Sequence, residues 1–224
     1  MIKIYLKSNP FFFKHIAFFR QTNKKILVNK KTDIVIEGFW RSGNHFAVHA
    51  FLFSQKKQMV VAHHFHASAQ IKMAVKLNIP AIILIRNPYD CIASSLVFDP
   101  NKNPLFFIKY YKVFYSSLET IKHKCIVSDF KNTTENFDKI IELVNRKYNS
   151  DFDVFDNQSK NINIVLEDIK NNNIKSMNRN LNDEIAVPSD HKNKLKSDKI
   201  SLLKKRYKNE MDELNTIYEQ FIQP

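Results

Sequence analysis

The sequence predicts an α/β fold in which a central parallel sheet is flanked by helices. Three observations predict it. Strand and helix signals alternate from Asp33 to Val97, the pattern of a parallel sheet joined by crossover helices. The most apolar run, Pro80–Ile85 (PAIILI), shows no polar alternation, as suits a strand buried on both faces. Both glycines of the chain, Gly38 and Gly43, flank one short loop at a strand-to-helix junction.

The elements follow in order. Asp33–Phe39 (DIVIEGF) reads as a buried strand, and Asn44–Ser54 carries apolar residues at helical spacing. Gln58–His63 is a second strand. Ser68 is placed to cap a helix over Ala69–Leu77. After the strand Pro80–Ile85 a helix runs from Pro88 through Val97, its proline in the first turn. Phe106–His123 reads as one long amphipathic helix, Cys125–Phe130 as a fourth strand and Phe137–Tyr148 as a helix with an apolar stripe. Residues 156–183 are rich in Asn and poor in periodicity, and are expected to form a loop or flap. Lys192–Phe221 reads as one or two basic helices. One domain is expected, with its core over about 33–148.

Charge narrows the partners. Of the 224 residues, 35 are Lys or Arg and 22 are Asp or Glu, a net charge of +13. Such a balance favours an anionic partner: nucleic acid, an acidic membrane face or a phosphorylated small molecule. Cys91 and Cys125 are too few for a disulfide scaffold and have no metal-ligand spacing. No segment reaches the roughly 18 apolar residues of a membrane span. The Phe-rich start is broken by Lys14, His15 and Arg20 and lacks a small-residue cleavage site, so a cytoplasmic location is expected. That start reads either as a helix packed on the domain or as a peripheral contact with a membrane surface.

The loop Glu37-Gly38-Phe39-Trp40-Arg41-Ser42-Gly43-Asn44-His45-Phe46 carries the first candidate chemistry. Glycine serves where backbone takes positive φ or approaches a ligand closely, and the helix that follows presents unpaired N–H groups and a positive dipole end. The Gly-x-x-x-x-Gly spacing matches a P-loop-like nucleotide-binding turn. Asn44 and His45 stand where a lysine and a magnesium-holding hydroxyl would be, so phosphate-like binding is expected without magnesium-dependent NTP hydrolysis. A second motif, Arg86-Asn87-Pro88-Tyr89-Asp90 with Ser94 eight residues after Arg86, begins where the third strand ends. Strand ends of that kind face the ligand crevice of parallel sheets; an Arg86–Asp90 ion pair is the alternative.

Taken together these motifs resemble the sulfotransferases that use 3′-phosphoadenosine 5′-phosphosulfate (PAPS). Arg41-Ser42-Gly43-Asn44-His45-Phe46 lies on the family's first motif. The second, R-N-P-x-D-x-x-x-S, is matched at every fixed position by Arg86 to Ser94. Ser128-Asp129-Phe130 and the helix behind it resemble the family's late strand and helix. The resemblance spans roughly residues 33–148. It implies that Arg41, Ser42, Gly43, Asn44, His45 and Phe46 cradle the 5′-phosphosulfate end, with Phe46 in place of a tryptophan that contacts adenine. It implies that Arg86 and Ser94 hold the 3′-phosphate. The late R-K-G motif is missing, which leaves Lys192, Lys194 or Lys196 to reach that phosphate.

Five of the eight histidines fall between 45 and 66. The family often carries a catalytic histidine just past its second strand, and His66 and His64 both fit, with His66 preferred. Arg41 is expected to neutralise the leaving phosphate, and Glu37 is a fallback base that more naturally orients a cation. No metal is expected. His45 with His49 and His63 with His66 have chelating spacings, yet no acidic third ligand is evident. The expected acceptor is a small-molecule or saccharide hydroxyl. The rivals are a divergent phosphate-loop kinase of a small metabolite and a basic nucleic-acid-binding protein built on Lys192–Lys208. Lysines between apolar residues there read as a solvated helix face, so no nucleic acid partner is expected.

Overall fold

A strand with large apolar side chains on both faces needs a layer of helices above and below it. The computed structural model describes residues 2–19, 26–176 and 190–223. Two helices open it, α1 (Ile2–Ser8) and α2 (Pro10–Phe19). Then come β1 (Ile34–Gly38), α3 (Asn44–Ser54), β2 (Val61–His63), α4 (Ser68–Leu77), β3 (Ala81–Ile85) and α5 (Pro88–Phe98). Next are α6 (Pro104–Ser116), a 3-10 turn (Glu119–Lys124), β4 (Ile126–Asp129), α7 (Phe130–Glu135) and α8 (Phe137–Tyr148). Three helices close the order: α9 (Ser159–Ser176), α10 (Asp190–Arg206) and α11 (Lys208–Ile222). The α/β class expected from the alternation is what forms.

The four strands are parallel in the order β2-β1-β3-β4. Every residue of β1 and β3 is buried. The two-residue period sorts their side chains. Ile34, Ile36, Ile82 and Leu84 enter one core with Phe51 of α3, Ile141 of α8 and Val165 of α9. Val35, Ala81, Ile83 and Ile85 enter the other with Ile71 of α4, Ile92 of α5, Tyr111 of α6 and Leu214 of α11. The α3 and α4 crossovers thus cover opposite faces, and the chain reverses direction across the sheet between β1 and β3. A crevice opens outside the carboxyl ends of strands at such a reversal.

Several local expectations are corrected. Ser68 is the first helical residue of α4, not its cap; Ala67 holds the cap position, and Ser68 Oγ accepts from Ser117 Oγ at 2.7 Å. The helix expected over Phe106–His123 starts earlier, where Asn103 Oδ1 accepts from Leu105 N–H ahead of Pro104. It stops at Ser116, because Ser117 turns back to Phe114 O and Leu118 is driven into the core. The segment 156–183, expected as loop, is helical over Ser159–Ser176, where Val165 and Ile169 give an apolar stripe that packs on α3; residues 177–183 lie outside the described ones. Among the described residues, no helix is long and apolar enough to cross a membrane.

Gly38 and Gly43 are needed for different reasons. A Cβ on Gly38 would lie 2.5 Å from Leu84 O, so β1 and β3 approach as only glycine allows. Gly43 has φ +92°, and a Cβ there would meet nothing closer than 3.4 Å. Gly38→Ala is therefore expected to cost about 3 kcal/mol, since neither backbone has room to yield. Gly43→Ala should cost less, about 1–2 kcal/mol, from the left-handed backbone alone. Urea denaturation of both variants checks the order; equal losses would mean that the strand approach is not the limiting contact.

Candidate active site

The carboxyl ends of β1, β2 and β3 bring the sequence-predicted residues together. From β1 the chain turns through Phe39–Gly43 into α3, whose amino end has no side-chain cap. Arg41 takes φ 64° within that turn, a left-handed conformation that non-glycine residues seldom adopt. Its Nε donates to Ser94 Oγ of α5 at 3.1 Å. From the end of β3, Arg86 Nη1 donates to Arg41 O at 3.0 Å, and its guanidinium lies 3.8 Å over the Phe130 ring. Arg41, Ser94 and Arg86 therefore meet in one place.

The two guanidinium groups have no carboxylate partner among the described residues. Arg86 Nε is buried and lacks any hydrogen-bond acceptor. Asp90, the partner considered for Arg86, pairs with Lys196 of α10 instead. That also occupies Lys196, one of the lysines considered for the 3′-phosphate; Lys194 is exposed, and the side chain of Lys192 lies outside the described ones. Burial, and then the neighbouring charge of Arg86, lower the pKa of Arg41. Two partly buried like charges without a counter-ion among the described residues repel each other, and an anion would relieve that.

Other residues of the loop turn inward. Ser42 is fully buried, with its Oγ 3.4 Å from Tyr115 OH and 3.5 Å from Cys91 Sγ. Asn44 Nδ2 donates to Phe39 O at 2.9 Å and braces the turn, leaving Oδ1 buried and unpaired. Phe46 is 6% exposed and meets Phe137 and Phe155 edge-on in the core. At these positions the side chains build the loop, and a ligand would meet its backbone.

The histidines form a second cluster beside the first. His64 and His66 both take positive φ, 58° and 50°, in the loop after β2. Glu37, on β1, holds this loop: its buried carboxylate accepts from Phe65 N–H and His66 N–H, each at 3.0 Å, and from Gln70 Nε2 at 3.4 Å. It thus fixes amide groups of the histidine loop, and the charge of Lys7 acts on it as well. His66 Nδ1 lies 2.9 Å from Gly38 O. A carbonyl can only accept, so in the neutral ring Nδ1 carries the proton and Nε2 keeps its lone pair. His64 Nδ1 is 2.5 Å from His63 Nδ1, its ring stands edge-on to His45, and its Nε2 is buried without a partner. The His66 side chain remains 17% exposed. His49 leaves the cluster for Asp168 of α9, 2.6 Å away. No group of three His, Cys, Asp or Glu side chains among the described residues is arranged to hold a metal ion.

Three tyrosines of α6 escaped the sequence reading. Tyr110 OH donates to His66 O, Tyr111 OH to Arg86 O and Tyr115 OH to Leu84 O, at 2.5, 2.9 and 2.8 Å. One helix thereby fixes the backbone of the histidine loop and of the Arg86 strand end. The available signal was tyrosine in place of phenylalanine at buried helix positions, where each hydroxyl must find a partner. Phe130, the stacking partner of Arg86, was visible only as part of a strand end.

No family model matches the chain, and neither does any curated protein. Among solved structures, the crystal structure of mouse sulfotransferase SULT7A1 complexed with PAP is similar to it. The identity is 12%, the match covers 86% of each chain, and the TM-score is 0.47.

Burial governs how the cluster titrates. It pushes His45 and His63 down to about 4 and His66 to about 3, and lowers His64 further. It pushes Glu37 up to about 8 against the pull of its amide donors. Each imidazole titrates below 6.5 in the fold, so below that pH the unfolded chain binds more protons. Their contribution to stability is complete above 6.5 and is lost as the pH falls toward 4. Glu37 has the opposite sign: its contribution is complete below 4.5 and is lost as the pH rises through about 8. The melting temperature is expected to fall between pH 6.5 and 5, with the histidines outweighing the single carboxyl. His63→Gln should make that fall shallower and Glu37→Gln should make it steeper. Thermal melts across this window check the signs, and a flat profile in the unsubstituted protein would contradict the neutral cluster.

Proposed function

We propose that the protein is a sulfotransferase that takes a sulfuryl group from PAPS and passes it to an acceptor hydroxyl, with a saccharide as the favoured acceptor class. The observation that carries this reading is the meeting of Arg41, Arg86 and Ser94 without a carboxylate, at the strand reversal where α3 begins. An unbalanced pair of guanidinium groups suits a ligand with two anionic ends, and their N–H forks suit phosphate and sulfate oxygens. The spacing of the two motifs, and their resemblance to the PAPS-dependent enzymes, supports the assignment of Arg41 to the 5′ end and of Arg86 with Ser94 to the 3′-phosphate.

The chemistry asks little covalent work of the protein. Transfer of this kind passes through a loose, in-line transition state and depends on positioning and charge stabilisation. In the proposed scheme Arg41 neutralises the leaving phosphate, which needs charge balance and no proton. His66 takes the proton of the acceptor hydroxyl at Nε2, the nitrogen left free by the Nδ1 contact with Gly38 O. His64 is the second candidate base. Its Nε2 is equally unpaired and is more deeply buried.

Donor recognition is tested by thermal stabilisation with 3′-phosphoadenosine 5′-phosphate against AMP. Binding to the folded state alone raises the melting temperature, more for a tighter ligand, with the logarithm of its concentration over Kd. The bisphosphate should stabilise far more than AMP. Loss of a charge-assisted bond of about 1.5–3 kcal/mol in Arg86→Ala should weaken the bisphosphate tenfold or more and leave AMP little changed. Equal stabilisation by AMP and by the bisphosphate would remove the donor assignment.

The base is tested by release of 3′-phosphoadenosine 5′-phosphate from PAPS over a panel of saccharide acceptors. His66→Ala should lower the acceptor-dependent rate by about 10²–10⁴ while donor binding persists. A loss confined to His64→Ala would transfer the role to that residue, and unchanged rates in both variants would end the histidine mechanism.

A further inference from the structure

The hairpin of α1 and α2 has an inner face that is fully accounted for and an outer face that is not. Inside, Ile4 and Phe13 are buried, and Phe13 stacks edge-on against Phe65 with ring centres 5.0 Å apart. Lys7 Nζ donates to Phe65 O at 2.7 Å, and Lys72 Nζ donates to Ser8 O in the turn between the helices at 2.9 Å. Asn9 Oδ1 accepts from Phe11 N–H at the start of α2. These contacts fix the hairpin on the domain. Outside, Phe11 is 67% exposed, Tyr5 58% and Phe12 48%. Among the described aromatic rings Phe11 touches only Phe12 and His15, and Lys14 and His15 beside it are exposed.

Exposed aromatic residues on adjoining helices need a cover, and the charge around them selects its chemistry. No acidic residue precedes Asp33, whereas Lys or Arg stands at positions 3, 7, 14, 20, 24, 25, 30 and 31. Neither helix is long enough to span a bilayer. Aromatic side chains in a purely basic stretch match an anionic lipid surface, where rings enter the interface and lysines meet headgroups. We propose that the outer face of the α1–α2 hairpin docks on an anionic membrane surface through Tyr5, Phe11 and Phe12. The inner contacts join this face directly to Phe65, which lies between His64 and His66, so docking seats the histidine loop next to the bilayer.

The test uses the full chain and sedimentation with vesicles of phosphatidylcholine alone or with 30% phosphatidylserine. The protein should pellet with the anionic vesicles and not with the neutral ones, and high salt should weaken it. Phe11→Ser combined with Phe12→Ser should reduce binding tenfold or more while the melting temperature stays unchanged, because both rings are already exposed. Failure of the unsubstituted chain to bind, or equal binding by the double variant, would overturn the proposal. So would a dimer in gel filtration that the double variant converts to monomer, since a second copy would then cover the face. None of these readouts depends on PAPS or on turnover.

Discussion

Where β1 runs past β3, the two backbones come as close as glycine permits, and the site is assembled on that approach. Gly38 faces Leu84, and just beyond it Tyr115 receives the Phe39 N–H and donates to Leu84 O. This bridge sets the loop after β1 beside the end of β3. Arg86 can then reach Arg41 O, and Cys91 Sγ can donate to Trp40 O at 2.9 Å. A side chain at Gly38 would part the strands and separate the two guanidinium groups at the same time. Fold and site share one constraint, so a change at residue 38 acts on both.

The site itself works against stability. Arg41, His64 and His66 all sit in left-handed backbone, although none is glycine or asparagine. The other non-glycine residues with positive φ among the described ones, Asn78 and Asn149, close the helices α4 and α8 in the ordinary way. Strained backbone persists only where surroundings over-determine it. Here Glu37 holds the His66 amide, Tyr110 holds the His66 carbonyl, and Arg86 holds the Arg41 carbonyl. Add two partly buried cations without a counter-ion among the described residues, and strain and charge are concentrated at one end of one sheet. A purely structural turn would have no reason to maintain either.

The sequence was most legible where one contact type decided the outcome. Asn44–Ser54 and Phe137–Tyr148 form helices with the expected bounds, because their apolar spacing meets a single neighbouring core. The second strand shrank from Gln58–His63 to Val61–His63: these three residues stand in register with Ile34–Ile36 of β1, and before them the Val60 N–H goes to the Asp33 side chain. Arg41, Arg86 and Ser94 were readable from their motifs. Their lack of a carboxylate partner was not, because it depends on Asp90 being drawn to Lys196 about a hundred residues away. Phe46 was placed at the donor by its motif, and its edge-on packing against Phe137 and Phe155 was not readable from that motif. The tyrosines of α6 act through single hydroxyl groups across the fold, and no local pattern marks which carbonyl each will find.

In the proposed reaction the two clusters depend on each other through charge. His45 is held neutral by burial and by the nearby Arg41, and His66 by burial with help from Lys7. A neutral imidazole is the form that accepts a proton, and Nδ1 of His66 is already committed to Gly38 O. Before a donor arrives, positive potential from Arg41 opposes protonation of His45, and that from Lys7 opposes protonation of His66. An anionic donor at Arg41 and Arg86 cancels part of that potential and raises the proton affinity of the imidazoles. By linkage, protonating the cluster must strengthen anion binding to the same degree. The histidine cluster would therefore bind a proton more readily once the donor is in place. Burial, which costs stability in acid, is on this view what makes the histidines responsive to the donor.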